Sequence, residues 1–247
     1  MNKISRELVT LAQKDNKKSL PQIGSLVSSH QYLPLYKLFK KYVPKSSKVL
    51  DWGTGIGHFS YFLCRSGYKT VGFSLEDFSF EPWLKGFTYK FVRGKTDEPT
   101  KLPFTNNSFG AVASVGVLEH VREFGGDEIA SMKEIARILK PKGLFICYHL
   151  PNRYSWIEYL GKLLTQKFHH DYRFTFSDIN QLADKTGFTI MESGRYGILP
   201  RNSLGNLPAN LAFSITLAYF WDTLDNILSF IFSPICQNYF LIAQKKG

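Results

Sequence analysis

Cysteine is scarce in this chain. Cys64, Cys147 and Cys236 are its only three, they lie far apart, and no C-x-x-C pair occurs. That excludes a disulfide framework and a cysteine zinc site, and points to reduced thiols. Also missing is an apolar core in the first residues: "MNKISRELVTLAQKDNKK" is polar and basic, so no signal-peptide pattern is read and a cytoplasmic setting is expected. No repeat, low-complexity run or Ser/Gly linker divides the 247 residues, which are enough for one α/β core. A single domain over 1–247 is expected, with a basic helical extension at 1–47 and an apolar helical insert at 198–236.

Acidic residues are few at the start. Residues 1–48 carry ten Lys/Arg against Glu7 and Asp15, most of the chain's net charge of +11. Such a run is either a solvated helical face or a contact with something anionic, such as lipid headgroups, an acidic substrate or nucleic acid. In the last third charge of either sign is rare: between Ile198 and Gln244 only Arg201, Asp222 and Asp225 occur. Read as a helix, "LAFSITLAYFWDTLDNILSFIFSPIC" aligns Ser214, Ala218, Asp222, Asp225, Ser229 and Ser233 on one narrow stripe. Two aspartates argue against a membrane span. A buried cap or dimer face, a lid over an apolar substrate, and a helix lying on a membrane surface all remain open; the last would need help from the basic N-terminal region.

What is present is an alternation of short apolar runs and helical patterns. Strands are expected at 48–52, 68–75, 87–94, 108–118, 143–150, 188–196 and 238–246. Helices are expected at 57–67, 127–140, 154–165 and 177–186. In the second of these, Ile129, Met132, Ile135 or Ala136, and Leu139 form the apolar stripe, stopped by Pro141 and Gly143. The alternation predicts an α/β fold: a Rossmann-like, seven-stranded, mostly parallel sheet with helices on both faces. Ligands of such sheets sit at the carboxyl ends of the strands, where strand order reverses.

That places the stretch "VLDWGTGIGHFS" at the site. Its spacing is D-x-G-x-G-x-G, with Asp51, Gly53, Gly55 and Gly57. A nicotinamide fingerprint would need glycine or alanine where His58 stands, so a nicotinamide oxidoreductase is disfavoured. Two further stretches follow in order, "LPFTNNSFGAVASVGVLEHV" and "EIARILKPKGLFICYHLPN". Together the three resemble the class I S-adenosylmethionine (SAM)-dependent methyltransferases, most closely the branch that includes the ubiquinone and menaquinone biosynthesis enzymes. The resemblance runs from about residue 49 to 197, and "NYFLIAQKK" looks like the family's closing antiparallel strand.

The resemblance implies SAM as cofactor and assigns roles to residues. Asp51, Gly53, Thr54, Gly55 and Gly57 would line its methionine half. Ser74 stands where the family usually offers an acid to the ribose; Glu76 or Asp77 would reach instead, with Glu76 preferred. Asp97 or Glu98, in the loop after the third strand, would lie near the adenine, with Asp97 taken as the candidate. Residues 114–117, including Ser114, Gly116 and Val117, would flank SAM, followed by Glu119 and His120. His120 and His170 are the candidate bases, Arg173 the candidate anchor for an acidic group, and Tyr148 and His149 point toward the same cleft. Gly110 and Lys142 depart from the family's usual Asp and Gly.

No metal is expected. The one dense group, His169, His170 and Asp171, lacks the i, i+4 spacing of a zinc helix. The expected reaction is methyl transfer to oxygen or carbon of a small acceptor, lipid-like, sugar or quinone-type, with peripheral membrane contact an open alternative. Two rivals stand beside it. One is a non-catalytic SAM-binding scaffold, favoured by Ser74, Gly110 and Lys142. The other is a nucleic-acid methyltransferase, favoured by the charge but lacking an Asn-Pro-Pro-Tyr motif.

Overall fold

Period-two alternation along the strands sends side chains to two separate cores, one on each side of a single sheet. The computed structural model describes residues 1–14, 20–76, 81–164 and 170–247. In chain order it contains α1 (Asn2–Lys14), α2 (Leu26–Ser29), α3 (Leu33–Tyr42), β1 (Lys48–Trp52), α4 (His58–Arg65), β2 (Lys69–Ser74), α5 (Glu81–Leu84) and β3 (Tyr89–Arg93). There follow β4 (Phe109–Val115), α6 (Glu128–Ile138), β5 (Leu139–Pro151), α7 (Trp156–Leu164), α8 (Phe176–Lys185), β6 (Phe188–Tyr196), α9 (Ala209–Ala212), α10 (Ile215–Ile231) and β7 (Asn238–Lys245).

The sheet runs β3-β2-β1-β4-β5-β7-β6. β7 alone is antiparallel, inserted between β5 and β6. Strand order reverses between β1 and β4, so the crevice expected of such a sheet opens beyond their carboxyl ends. Val49, Ala111, Ala113 and Ile146 pack with Phe39, Phe59 and Phe62 on one face. Leu50, Val112, Phe145 and Leu241 pack with Met132, Ile135 and Ile179 on the other. Phe62 is fully buried, and its ring stacks on Tyr36 at 3.9 Å between centroids. A buried ring of this size stabilises the fold by about 1.5–3 kcal/mol.

The expected strands and helices are present, with adjusted ends. α6 stops at Ile138, before Pro141, because Leu139 turns extended and pairs with Phe109. The helix start expected at Ser177 lies earlier: Thr175 caps α8 by accepting from the Asp178 N–H, and Asp178 closes a reciprocal capping box. The basic segment at the start is helical, yet it is more than a solvated face. Leu8, Leu35, Tyr36 and Phe39 are fully buried in the core, and Arg65 on α4 grips Glu7 on α1 through two hydrogen bonds of 2.6 and 2.9 Å.

Of Gly110 and Lys142, the first has a local cause and the second sits under strain. A side chain at Gly110 would meet Ser47 Cβ and Oγ at 3.1 Å, so the residue before β1 occupies the space of the usual aspartate. Lys142 has φ 58°, in the left-handed region where glycine is the unstrained residue.

Among the described residues, no helix is long and apolar enough to cross a membrane. The polar stripe of α10 turns inward. Asp225 is buried, Asp222 contacts Arg201 and His30, and large apolar residues point outward, Phe230 at 88% exposure and Phe220 at 61%.

Candidate functional site at the strand ends

The glycine turn between β1 and α4 is closed by its own backbone. The N–H groups of Gly53 and Thr54 both donate to Phe73 O on β2, at 2.8 and 3.0 Å, and Gly57 N–H donates to Thr54 O at 2.8 Å. The Thr54 hydroxyl donates to Asp51 O at 3.2 Å. Gly53 has φ 75°, and an added Cβ would lie 2.3 Å from Val117 Cγ2. Val117, after β4, therefore packs directly on the turn, and only glycine admits it. Gly55, with φ 52°, is exposed and faces space: its nearest neighbour for an added Cβ is Gly53 O at 3.7 Å.

Asp51 lies under this turn rather than in the open. It is 1% exposed and accepts from the Ser60 hydroxyl at 2.6 Å, tying β1 to the first turn of α4. Burial pushes its carboxyl up to about 7, against the lowering effect of the Ser60 bonds. Ser74 ends β2 next to the turn; its Oγ accepts from Glu76 N–H at 3.2 Å, and its carbonyl accepts from Gly94 N–H at 2.9 Å. Glu76 and Asp97 are exposed at this edge. Ser114 is fully buried in β4, so its side chain faces the core and only its backbone is near the strand end. Asp77 and His169 lie outside the described residues.

A second group of side chains converges here that spacing did not bring together. Tyr32 follows α2, and its ring lies 4.2 Å from His58 and 5.2 Å from His149, centroid to centroid. His149 interrupts the β5–β7 pairing between Tyr148 and Leu150, and its φ of 64° is a strained value for a residue with a side chain. Its backbone N–H donates to the Tyr196 hydroxyl oxygen at 2.8 Å, and that hydroxyl lies 3.0 Å from His149 Nδ1. His149 Nε2 and both ring nitrogens of His58 are buried without hydrogen-bond partners. Burial pushes both imidazoles down to about 3, so both are neutral near pH 7.

The two candidate bases also meet. The rings of His120 and His170 lie 5.4 Å apart, although 50 positions separate them in the sequence. His170 Nδ1 lies 2.6 Å from Glu158 Oε1. Burial opposes the charged form of His170, but the Glu158 carboxylate outweighs it and holds the ring above its ordinary value. Glu119, buried beside this pair, is pushed up to about 7 by desolvation. Arg173 is placed differently: it lines a cleft of about 360 Å³ with Arg122, Arg153 and Asp178, and no residue of the glycine turn borders that cleft.

Tyr32, Tyr196 and Glu158 escaped the sequence reading. Tyr32 sits in a stretch read for its charge, and the other two carry no motif, so only folding shows what they touch.

Comparison with known proteins shows the family and the fold. Residues 24–193 match a family described as a methyltransferase domain. A demethylmenaquinone methyltransferase from Corynebacterium kroppenstedtii is 37% identical over 111 residues, which span 44% of each chain. Among solved structures, a SAM-dependent methyltransferase from Thermotoga maritima aligns over 99% of this chain and 100% of its own, with TM-score 0.61 and 16% identity. A Burkholderia thailandensis 1,6-didemethyltoxoflavin-N1-methyltransferase, solved with its acceptor and S-adenosylhomocysteine, aligns over 99% of this chain and 88% of its own, with TM-score 0.53 and 15% identity. These structures share the fold. With the family match covering well over half of its length, the chain belongs to the class I SAM-dependent methyltransferases.

Proposed function

We propose that this protein moves the methyl group of SAM onto an oxygen or carbon of a small lipid-like or quinone-type acceptor. The observation that carries the reading is the convergence, at the strand ends, of the open Gly55 turn with the unpartnered ring nitrogens of His58 and His149. In this reading Asp51, Gly53, Thr54, Gly55 and Gly57 shape the methionine end of the cofactor site. Ser74, Glu76 and Asp97 serve the nucleoside end, and Ser114, Gly116 and Val117 form the floor. His120, His170 and Arg173 belong to the acceptor side.

SAM supplies an activated methyl on a positively charged sulfur. The task of the chain is alignment, which contributes about 7–11 kcal/mol in well-oriented reactions. Neutral His58 and His149 suit that task, because they border the site without placing a like charge beside the sulfonium. The partial menaquinone-branch relative supports a quinone-type acceptor.

The outward face of α10 supports an acceptor drawn from a membrane. Asn2 on α1 donates to the Tyr219 hydroxyl on α10, so the helix carrying exposed Lys3 and Arg6 meets α10 beside exposed Phe220, and Phe230 and Ile231 are exposed further along α10. An exposed apolar helix face together with a basic helix fits the surface of an anionic bilayer. In this reading the protein works in the cytoplasm, where Cys64, Cys147 and Cys236 stay free and buried.

Calorimetric titration with SAM tests the cofactor: saturable binding is expected, and none at millimolar SAM would remove the proposal. Transfer of radiolabelled methyl into fractionated extract tests the acceptor, with label expected in the lipid pool. Label confined to nucleic acid or to polar metabolites would overturn the acceptor class. Bound SAM with no labelled product would favour a non-catalytic scaffold.

A further inference from the structure

We propose that Glu119, His120 and His170 form a binding site for one divalent transition-metal ion. One potential donor atom from each lies within 4.8 Å of the others. Glu119 and His120 are neighbours on the short turn Leu118–Phe124 after β4, and His170 enters from beyond α7. His169, which spacing offers beside His170, lies outside the described residues.

Three features point to an ion. Each imidazole is held from behind by a carboxylate: His120 Nδ1 lies 2.7 Å from Glu123 Oε1, and His170 Nδ1 lies 2.6 Å from Glu158 Oε1. The His170 backbone N–H donates to Glu158 Oε2 at 2.8 Å, so that ring is doubly positioned. A carboxylate accepting from Nδ1 leaves Nε2 with its lone pair free, the arrangement that orients and strengthens metal-binding histidines. The Glu119 side chain is only 2% exposed, and its Oε2 is buried without a hydrogen-bond partner. A buried carboxylate needs a compensating positive charge.

The third feature is what the neighbours fail to supply. His120 Nε2 lies 3.9 Å from Glu119 Oε1, too far for a hydrogen bond, and His170 spends its Nδ1 and backbone N–H on Glu158. An ion among the three donors would satisfy the carboxylate while drawing the groups slightly closer. The side chains of His120 and His170 are 38% and 36% exposed, so an ion has a path in and keeps open coordination positions. Two imidazoles and one carboxylate suit zinc, cobalt, iron or manganese over magnesium and calcium, which favour all-oxygen sets.

The test is titration of the metal-free full-length protein with zinc chloride and, separately, magnesium chloride. One zinc per chain is expected, with much weaker magnesium binding. His120→Ala and His170→Ala each weaken zinc binding by at least about tenfold, and the double variant abolishes it; Glu123→Gln and Glu158→Gln weaken it by about 10–100-fold. Cobalt substitution identifies the donors: d–d absorption without thiolate charge transfer is expected, since no cysteine takes part. Far-ultraviolet circular dichroism checks the fold of the double variant, in which both changed side chains are partly exposed. No zinc binding by the wild type, zinc binding unchanged in the double variant, or a thiolate signature with cobalt would each overturn the site.

Discussion

Arg201 donates to Asp225 through two nitrogens, at 3.0 and 3.2 Å, and this contact turns the polar stripe of α10 toward the protein. The same guanidinium donates to Asp222 at 2.7 Å, and Asp222 meets His30 at 2.8 Å. The three charges found between Ile198 and Gln244 thus belong to one network, anchored on the N-terminal segment. Asp225 Oδ1 also accepts from the N–H groups of Ile198 and Leu199, at 2.8 and 2.9 Å.

Asp225→Ala should therefore be among the most destabilising single changes in the chain. It removes one of the two carboxylates on a largely buried guanidinium and leaves two backbone donors unpaired, a loss of about 2–4 kcal/mol. Urea denaturation measures it. Asp225→Asn, which keeps an acceptor for the backbone groups, should cost less. Equal losses for the two variants would mean that the backbone bonds contribute nothing.

With the aspartates inside, the phenylalanines are outside. Phe220→Ser combined with Phe230→Ser should leave folding intact and reduce sedimentation with anionic vesicles by at least about tenfold, since each ring contributes roughly 1.5–3 kcal/mol when buried in an apolar phase. Added salt should weaken the wild-type interaction by screening Lys3 and Arg6. Wild-type protein that stays in the supernatant, or a double variant that sediments equally, would end the membrane reading.

Acid should destabilise the fold through His58. Burial holds this ring near 3 in the folded chain, while the unfolded chain takes up a proton at about 6.5. A depressed histidine makes no pH-dependent difference above about 6.5, where both states are neutral. Below it only the unfolded state gains the proton, so stability falls by about 1.4 kcal/mol per pH unit for each such ring. His149 has the same sign. Urea midpoints compared between about pH 7 and about pH 5 should fall for wild type and fall less for His58→Phe. Parallel slopes would show that His58 is protonated in the folded chain.

Lys142→Gly should stabilise the protein. Lys142 holds φ 58° near the start of β5, where the pairing with β4 shifts register, and this costs a residue with a Cβ about 1 kcal/mol. A rise of roughly 2–4 °C in melting temperature is expected for a chain of this size. An unchanged or lower value would mean that other contacts of the lysine outweigh its backbone strain.

Legibility in the sequence follows the range of the interactions. The β1 strand, its glycine turn and the cap at Gly67 are readable because each rests on residues a few positions apart. The end of α6 was less so: Pro141 looks like the stop, but Leu139 leaves the helix earlier to pair with Phe109, a partner far away in the chain. Ser114 shows the same limit. Its motif places it at the strand end, while the pleat turns its side chain into the core.

The sequence by itself determined the alternation of strands and helices, the mostly parallel sheet and the glycine turn at its carboxyl edge, because periodicity and turn chemistry are local. Tertiary structure alone decided which histidines come together, His58 and His149 on the ring of Tyr32 and His120 with His170, and which way α10 faces. Those outcomes depend on partners brought from distant segments, Tyr32, Tyr196, Glu158 and Arg201, and a stripe on a helix does not say whether protein or solvent will receive it.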